Sequence, residues 1–102
     1  MHFAIIARDS KTPGTLEKRL ASRPEHMEGL KTMKADGRVV DGGAMLDGDG
    51  NMVGSVMLLD FPDRAALDAY VATEPYKRDG VWGEVDIIEM RLVDWKKLMG
   101  QS

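Results

Sequence analysis

The sequence contains no cysteine, which excludes a disulfide framework, a thiol nucleophile and thiolate metal ligands. Histidine is nearly as scarce, with two in 102 residues. His2 stands at the terminus without a spaced partner, so no ligand cluster assembles and no metal site is expected. Positive charge in excess is lacking too: the formal net charge is −3. The densest basic group, Lys18, Arg19 and Arg23, is interleaved with Glu17 and Glu25 and reads as a solvated helical face. Neither a nucleic-acid nor a membrane partner is therefore expected. The apolar N-terminal run, Phe3 to Ala7, stops at Arg8 and Asp9, too short for a signal segment or a membrane span. What remains is one small cytoplasmic domain, expected over residues 1–95 with a tail at 96–102.

What is present is periodic. His2 to Arg8 reads as a strand, and Asp9 to Gly14 as a loop with proline and glycine in turn positions. Thr15 to Ala21 predicts a short helical turn, with Leu16 and Leu20 at i, i+4. A second helix is expected to follow from Ser22 as N-cap, with Pro24 in its first turn and Gly37 as its stop. Arg38 to Leu46 predicts the second strand and Met52 to Phe61 the third, joined through the turn signal Asp47-Gly48-Asp49-Gly50-Asn51. Pro62-Asp63 opens a helix over Arg64 to Ala72, Thr73 to Gly80 reads as an irregular link, and Glu84 to Val93 as the fourth strand. The order β-α-β-β-α-β is the split βαβ pattern of a ferredoxin-like α+β fold with a four-stranded antiparallel sheet. Two helices cover one face of such a sheet. The strands are nevertheless apolar on both faces, as in Phe3, Ile5, Ala7 against Ala4, Ile6. A second copy of the chain is the economical cover, so a homodimer is expected.

Most of the possible chemistry fails on spacing. The Asp47–Asn51 segment starts like a calcium loop, but Met52 and Leu58 occupy the positions that need glycine and glutamate. The glycine pairs do not open a helix, as phosphate-binding glycine loops do. Ser10, Ser22 and Ser55 lack a nucleophile-elbow context.

His26 is different. With Leu30, Met33 and Gly37 it recurs at i, i+4, i+7 and i+11, which puts an imidazole in the middle of an apolar stripe. Such a histidine is either a core residue bonded to a backbone carbonyl or a base that needs an orienting carboxylate. Asp36 lies ten residues further along the helix, about 15 Å away by the helical rise, and cannot touch His26 within one subunit. Asp9, at the end of the first strand, is the expected partner; its alternative role is to cap the turn at Ser10 to Thr12.

The blocks Ala7-Arg8-Asp9, Leu16-Glu17-Lys18-Arg19 and Arg23-Pro24-x-His26 closely resemble the YciI-like (YCII-related) family. So do Gly54-Ser55 and Pro75-Tyr76-x-x-x-Gly80-Val81-Trp82. The resemblance implies a ferredoxin-like fold that dimerises into an α+β barrel, with a His–Asp pair, by position His26 and Asp9, as the active centre. In length and motif the chain is similar to a branch of cofactor-free dehydrochlorinases acting on chlorinated hydroxyquinones. Glu74 stands where the family often has Asp, Trp82 where it has Tyr, and the loop after the second strand is short. The expectation is a small-molecule enzyme without a cofactor, in which His26 and Asp9 perform general acid/base chemistry. The reaction would be elimination, hydration or dehydrochlorination of a small cyclic or aromatic substrate. Arg23 would hold an anionic oxygen, with Ser55, Tyr76 and Trp82 also in the substrate site. The alternative is a non-catalytic small-molecule-binding dimer of the same fold.

Overall fold

The structure is a computed structural model and is described over residues 1–101. The strands are β1 (His2–Asp9), β2 (Val39–Leu46), β3 (Met52–Asp60) and β4 (Trp82–Met90). The helices are α1 (Thr15–Ala35), α2 (Arg64–Thr73), α3 (Pro75–Arg78) and α4 (Trp95–Leu98). The strands form one antiparallel sheet in the order β2-β3-β1-β4, so the first strand lies inside the sheet. This is the expected ferredoxin-like α+β arrangement. The Asp47–Asn51 turn closes as its residues suggest: Asp47 accepts the N–H groups of Asp49 and Asn51 on one carboxylate oxygen. Asp63 caps α2 by accepting from the N–H of Ala66.

Alternation along β1 sorts its side chains between two faces. Phe3, Ile5 and Ala7 join Leu59, Leu67 and Val71 in the core beneath the helices. Ile5, Leu59 and Leu67 are fully buried, and each such side chain contributes about 1.5–3 kcal/mol relative to exposure. On the other face Ala4 stands opposite Leu58 and Ile88, and Ile6 opposite Val56. Ile88 and Met90 are exposed there, at 49% and 37%.

Three elements depart from the expected pattern. The two expected segments from Thr15 and from Ser22 form one continuous helix, capped at Gly14 in the left-handed region and with Pro24 inside it. A proline deprives the carbonyl four residues back of its partner. Pro24 and Leu20 are both exposed, so the Leu20 carbonyl lies on the solvent side and the helix continues. Gly37 does end it, at φ +89°. The link after Thr73 is ordered as α3, which starts at Pro75, where a proline suits a first turn. The tail contains the single turn α4, with Trp95 and Leu98 exposed.

The buried face of α1 is not apolar. It consists of Thr15, Arg19, Ser22, His26 and Met33, four of the five polar, spaced as one stripe of a helix. Thr15 bonds the adjoining loop at Thr12, while Arg19, Ser22 and His26 are answered from other parts of the chain, and those three answers build the site.

Candidate active site

Arg19 comes first along the stripe. Buried to 2%, it spends one guanidinium nitrogen on both oxygens of Asp9, at 2.8 and 3.0 Å. The other goes to the Gly54 carbonyl and the Ser55 hydroxyl, at 2.9 and 3.0 Å. Its Nε is the one buried side-chain polar atom among the described residues without a partner. A bidentate pair of this kind suits the planar guanidinium. Burial pushes the Asp9 carboxyl above its ordinary range, and the adjacent Arg19 charge and hydrogen bonds pull it back down. Ser55 also accepts from the Trp82 indole N–H at 3.3 Å. Arg19, Asp9, Ser55 and Trp82 thus form one network that ties α1 to three strands.

The expected contact between Asp9 and His26 is therefore replaced by one between Asp9 and Arg19. The reason is the true start of α1. Because the helix begins at Thr15, the strand end faces its first turns. His26 stands about 10 Å further along the axis than Arg19, which meets Asp9. Asp36 is also elsewhere, ion-paired with Arg38 at the helix end.

The carboxylate that meets His26 is Glu74. Its Oε1 lies 2.5 Å from His26 Nδ1, with both residues almost fully buried, at 6% and 2%. Oε1 also accepts from the Tyr76 backbone N–H at 3.3 Å, and Oε2 accepts from the Tyr70 hydroxyl at 2.6 Å. Of these three partners the Tyr76 N–H can only donate, and the Tyr70 hydroxyl donates here, so both use Glu74 as an acceptor. Glu74 is both the C-cap of α2 and the N-cap of α3, so two short elements hold its backbone. Sequence reasoning noted Glu74 only as a departure from the family's Asp and did not pair it with His26, because no periodicity marks such a junction. The one available signal was its place immediately before Pro75-Tyr76.

Tyr76, 1% exposed, packs its ring on the imidazole with centroids 4.0 Å apart and planes 21° from parallel. The Arg19 guanidinium carbon lies 4.5 Å from the same ring centroid. Burial holds the Tyr76 phenol above the usual tyrosine range, against the pull of Arg19 and Arg23. Two contacts clamp α3 onto α1: Ser22 donates to Asp79 at 2.7 Å, and Arg78 pairs with Glu25 through two nitrogens. That clamp delivers Glu74 and Tyr76 to the middle of the helix.

His26, Tyr76, Arg19 and Ser55 line a cavity of about 360 Å³ between α1 and the β2–β3 side of the sheet. Its walls include Met27, Leu30, Val39 and Met57, with Arg23 and Lys31 at hand. The size and mostly apolar lining suit a small organic molecule. Of the residues expected at the site, His26, Arg23, Ser55 and Tyr76 come together here. Trp82 and Asp9 stand behind the wall, on the Arg19–Ser55 network.

The chain is similar in fold to the 5-chloro-2-hydroxyhydroquinone dehydrochlorinase TftG of Burkholderia phenoliruptrix AC1100, solved in complex with 2,5-dihydroxybenzoquinone. The TM-score is 0.79 and the identity 23%, over 89% of this chain and 94% of that one. In sequence it is 34% identical over 91 residues to an uncharacterised protein of Haemophilus influenzae, covering 83% of this chain and 91% of the relative. It is 31% identical over 93 residues to protein YciI of Escherichia coli O6:H1, covering 85% and 93%. The YCII-related domain family matches residues 1–91, and the chain belongs to that family.

Proposed function

We propose that this protein is a small-molecule enzyme in which His26 is the general acid/base and Glu74 the carboxylate that orients it. The observation that carries the reading is the buried His26–Glu74 pair, whose imidazole lies on the wall of a mostly apolar cavity. With Nδ1–H given to Glu74, the imidazole offers the Nε2 lone pair to a ligand, and the carboxylate stabilises the imidazolium once a proton arrives, as the third member of a triad does. The role expected of Asp9 is then indirect: it neutralises Arg19, which in turn supports Ser55 and the Tyr76 ring.

The reaction class is elimination from a small cyclic or aromatic substrate, the class to which the dehydrochlorinase TftG belongs. A substrate proton moves to Nε2. The electron pair left behind forms a new double bond, and the leaving group departs with the pair of the bond it breaks. The proton then returns to the leaving group or to water. Positioned proton transfer supplies about 10²–10⁴-fold, enough for a ring that is already activated. Arg23 has no ion-pair partner among the described residues and lines the cavity. It would attract an anionic oxygen of the substrate. We also propose a homodimer whose second copy covers the sheet face bearing Ile6, Val56, Leu58 and Ile88, since that face is apolar and, among the described residues, no helix packs there.

The test is a turnover screen over chlorinated hydroxyquinones and related cyclic substrates, run on the wild type beside His26→Ala with matched folding. Turnover in the wild type, lost in the variant while binding persists, supports the enzyme. Binding without turnover in either protein would leave a binding dimer in its place.

A further inference from the structure

Glu74 is reached from two sides. Oε1 serves His26 on the wall of the main cavity, while Oε2 is held by Tyr70, one helical turn upstream. Tyr70 and Glu74 line a second, more open cavity with Glu25, Glu28 and Thr32, on the flank of α1 away from the first. The His26–Glu74 pair thus lies between the two cavities, the imidazole on the wall of the first and the carboxylate on the wall of the second. A glutamate is poorly suited to stand there unaided, because its terminal torsion is broad and roughly two-fold. Anchored by one oxygen alone, it would swing toward the second cavity, where water and Arg38, another lining residue, offer substitute partners.

We propose that Tyr70 is a positioning residue of the acid/base site: its hydroxyl pins Oε2 so that Oε1 stays on His26 Nδ1 and the imidazole keeps the Nδ1–H tautomer. The tyrosine is built for this. Its ring stacks on Phe61 with centroids 5.6 Å apart, so the hydroxyl sits on a fixed arm. Burial and the adjacent Glu74 charge push its ionisation far above the usual tyrosine range, so the group remains a donor wherever the protein is folded. In the sequence Tyr70 looks like a core residue of α2, facing the sheet with Ala66 and Leu67. The structure shows that only its ring has that role.

The inference rests on the proposed acid/base reading for its effect on rate, but not for its effect on the tautomer. Tyr70→Phe keeps the ring on Phe61 and removes only the hydroxyl. Imidazole ¹⁵N spectra of wild type, Tyr70→Phe and Glu74→Gln decide the matter, with urea denaturation confirming that each variant folds. The wild type shows His26 as the Nδ1–H tautomer, and Tyr70→Phe shows a mixture of tautomers. On any substrate the wild type turns over, Tyr70→Phe lowers kcat about tenfold, part of the contribution of a positioned base, with KM within about twofold. A Tyr70→Phe variant whose His26 remains wholly Nδ1–H would overturn the positioning role, whatever the turnover. A tautomer shift in a protein that catalyses nothing would keep that role and remove the enzymatic reading instead.

Discussion

His26 and Glu74 are 48 residues apart in the chain, yet Nδ1 of one lies 2.5 Å from Oε1 of the other. One comes from the middle of a 21-residue helix, the other from the joint between α2 and α3. No periodicity around either residue announces the contact. It exists because the Ser22–Asp79 and Glu25–Arg78 contacts draw α3 against α1.

Glu74→Gln tests the pair directly. The amide presents an N–H to Nδ1 as readily as a carbonyl and carries no charge to stabilise the imidazolium. We expect kcat to fall by about 10²–10⁴-fold, as when a triad loses its carboxylate. Glu74→Asp keeps the charge and should retain more of the activity. Steady-state kinetics on a substrate found by the screen would check both, and wild-type kcat in Glu74→Gln would remove Glu74 from the mechanism.

Asp9→Asn should behave in the opposite way. It leaves the Arg19 guanidinium buried without its counter-charge, and breaking a buried pair on one side costs about 3–5 kcal/mol. Urea denaturation should register that loss. The His26 tautomer in ¹⁵N spectra should stay as in the wild type, because Asp9 does not touch the ring. A tautomer change without a stability change would return Asp9 to the role the sequence suggested.

Acid titration isolates the α1–α3 clamp. Hydrogen bonds from Arg78 and Ser22 hold the Asp79 carboxyl down at about 2, from an ordinary value of 3.8. A carboxyl depressed in the folded state adds stability that is present above its unfolded value and lost as pH falls through the folded one. The window therefore runs from about pH 4 down to about pH 2. Over it, Asp79→Asn should lose less stability than wild type, measured by chemical denaturation at fixed salt. Parallel curves would mean the clamp does not depend on the charge.

These contrasts mark what could be read beforehand. Asp63, Gly37 and the Asp47–Asn51 turn carry local chemistry, and the element ends they mark fell where expected. The alternation of Phe3, Ile5 and Ala7 with Ala4 and Ile6 sufficed for the sheet and its two apolar faces. The start of α1 escaped because Pro24 prefers a first turn, and that preference yields where the orphaned carbonyl faces water. Arg19 escaped because a buried guanidinium is improbable until Asp9, Gly54 and Ser55 are known to surround it. A signal was nevertheless there. Thr15, Arg19, Ser22 and His26 share one helical stripe, visible once polar residues are counted at the helical period alongside apolar ones.

The uncovered face of the sheet gives the last prediction. Sedimentation equilibrium at micromolar concentration should show twice the mass of the chain, and Ile6→Lys or Ile88→Lys should shift the equilibrium toward monomer by placing charge in an apolar contact. A folded wild-type monomer under those conditions would refute the proposed dimer.

The polar stripe of α1 also bears on how the chain acquires its structure. A helix with an apolar stripe can adhere to a growing core in many registers and slide into place. This one gains little from adhering anywhere except where Arg19 meets Asp9 of β1 and Gly54 and Ser55 of β3 together. Those acceptors become neighbours only after β1 and β3 have paired, with Ala7 opposite Ser55 and Arg8 opposite Gly54. Docking of α1 should therefore follow the pairing of β1 and β3, and substitutions of Arg19 or Ser22 should speed unfolding and leave the folding rate nearly unchanged. The cavity's chemistry would then be assembled in the same late step that locks the fold.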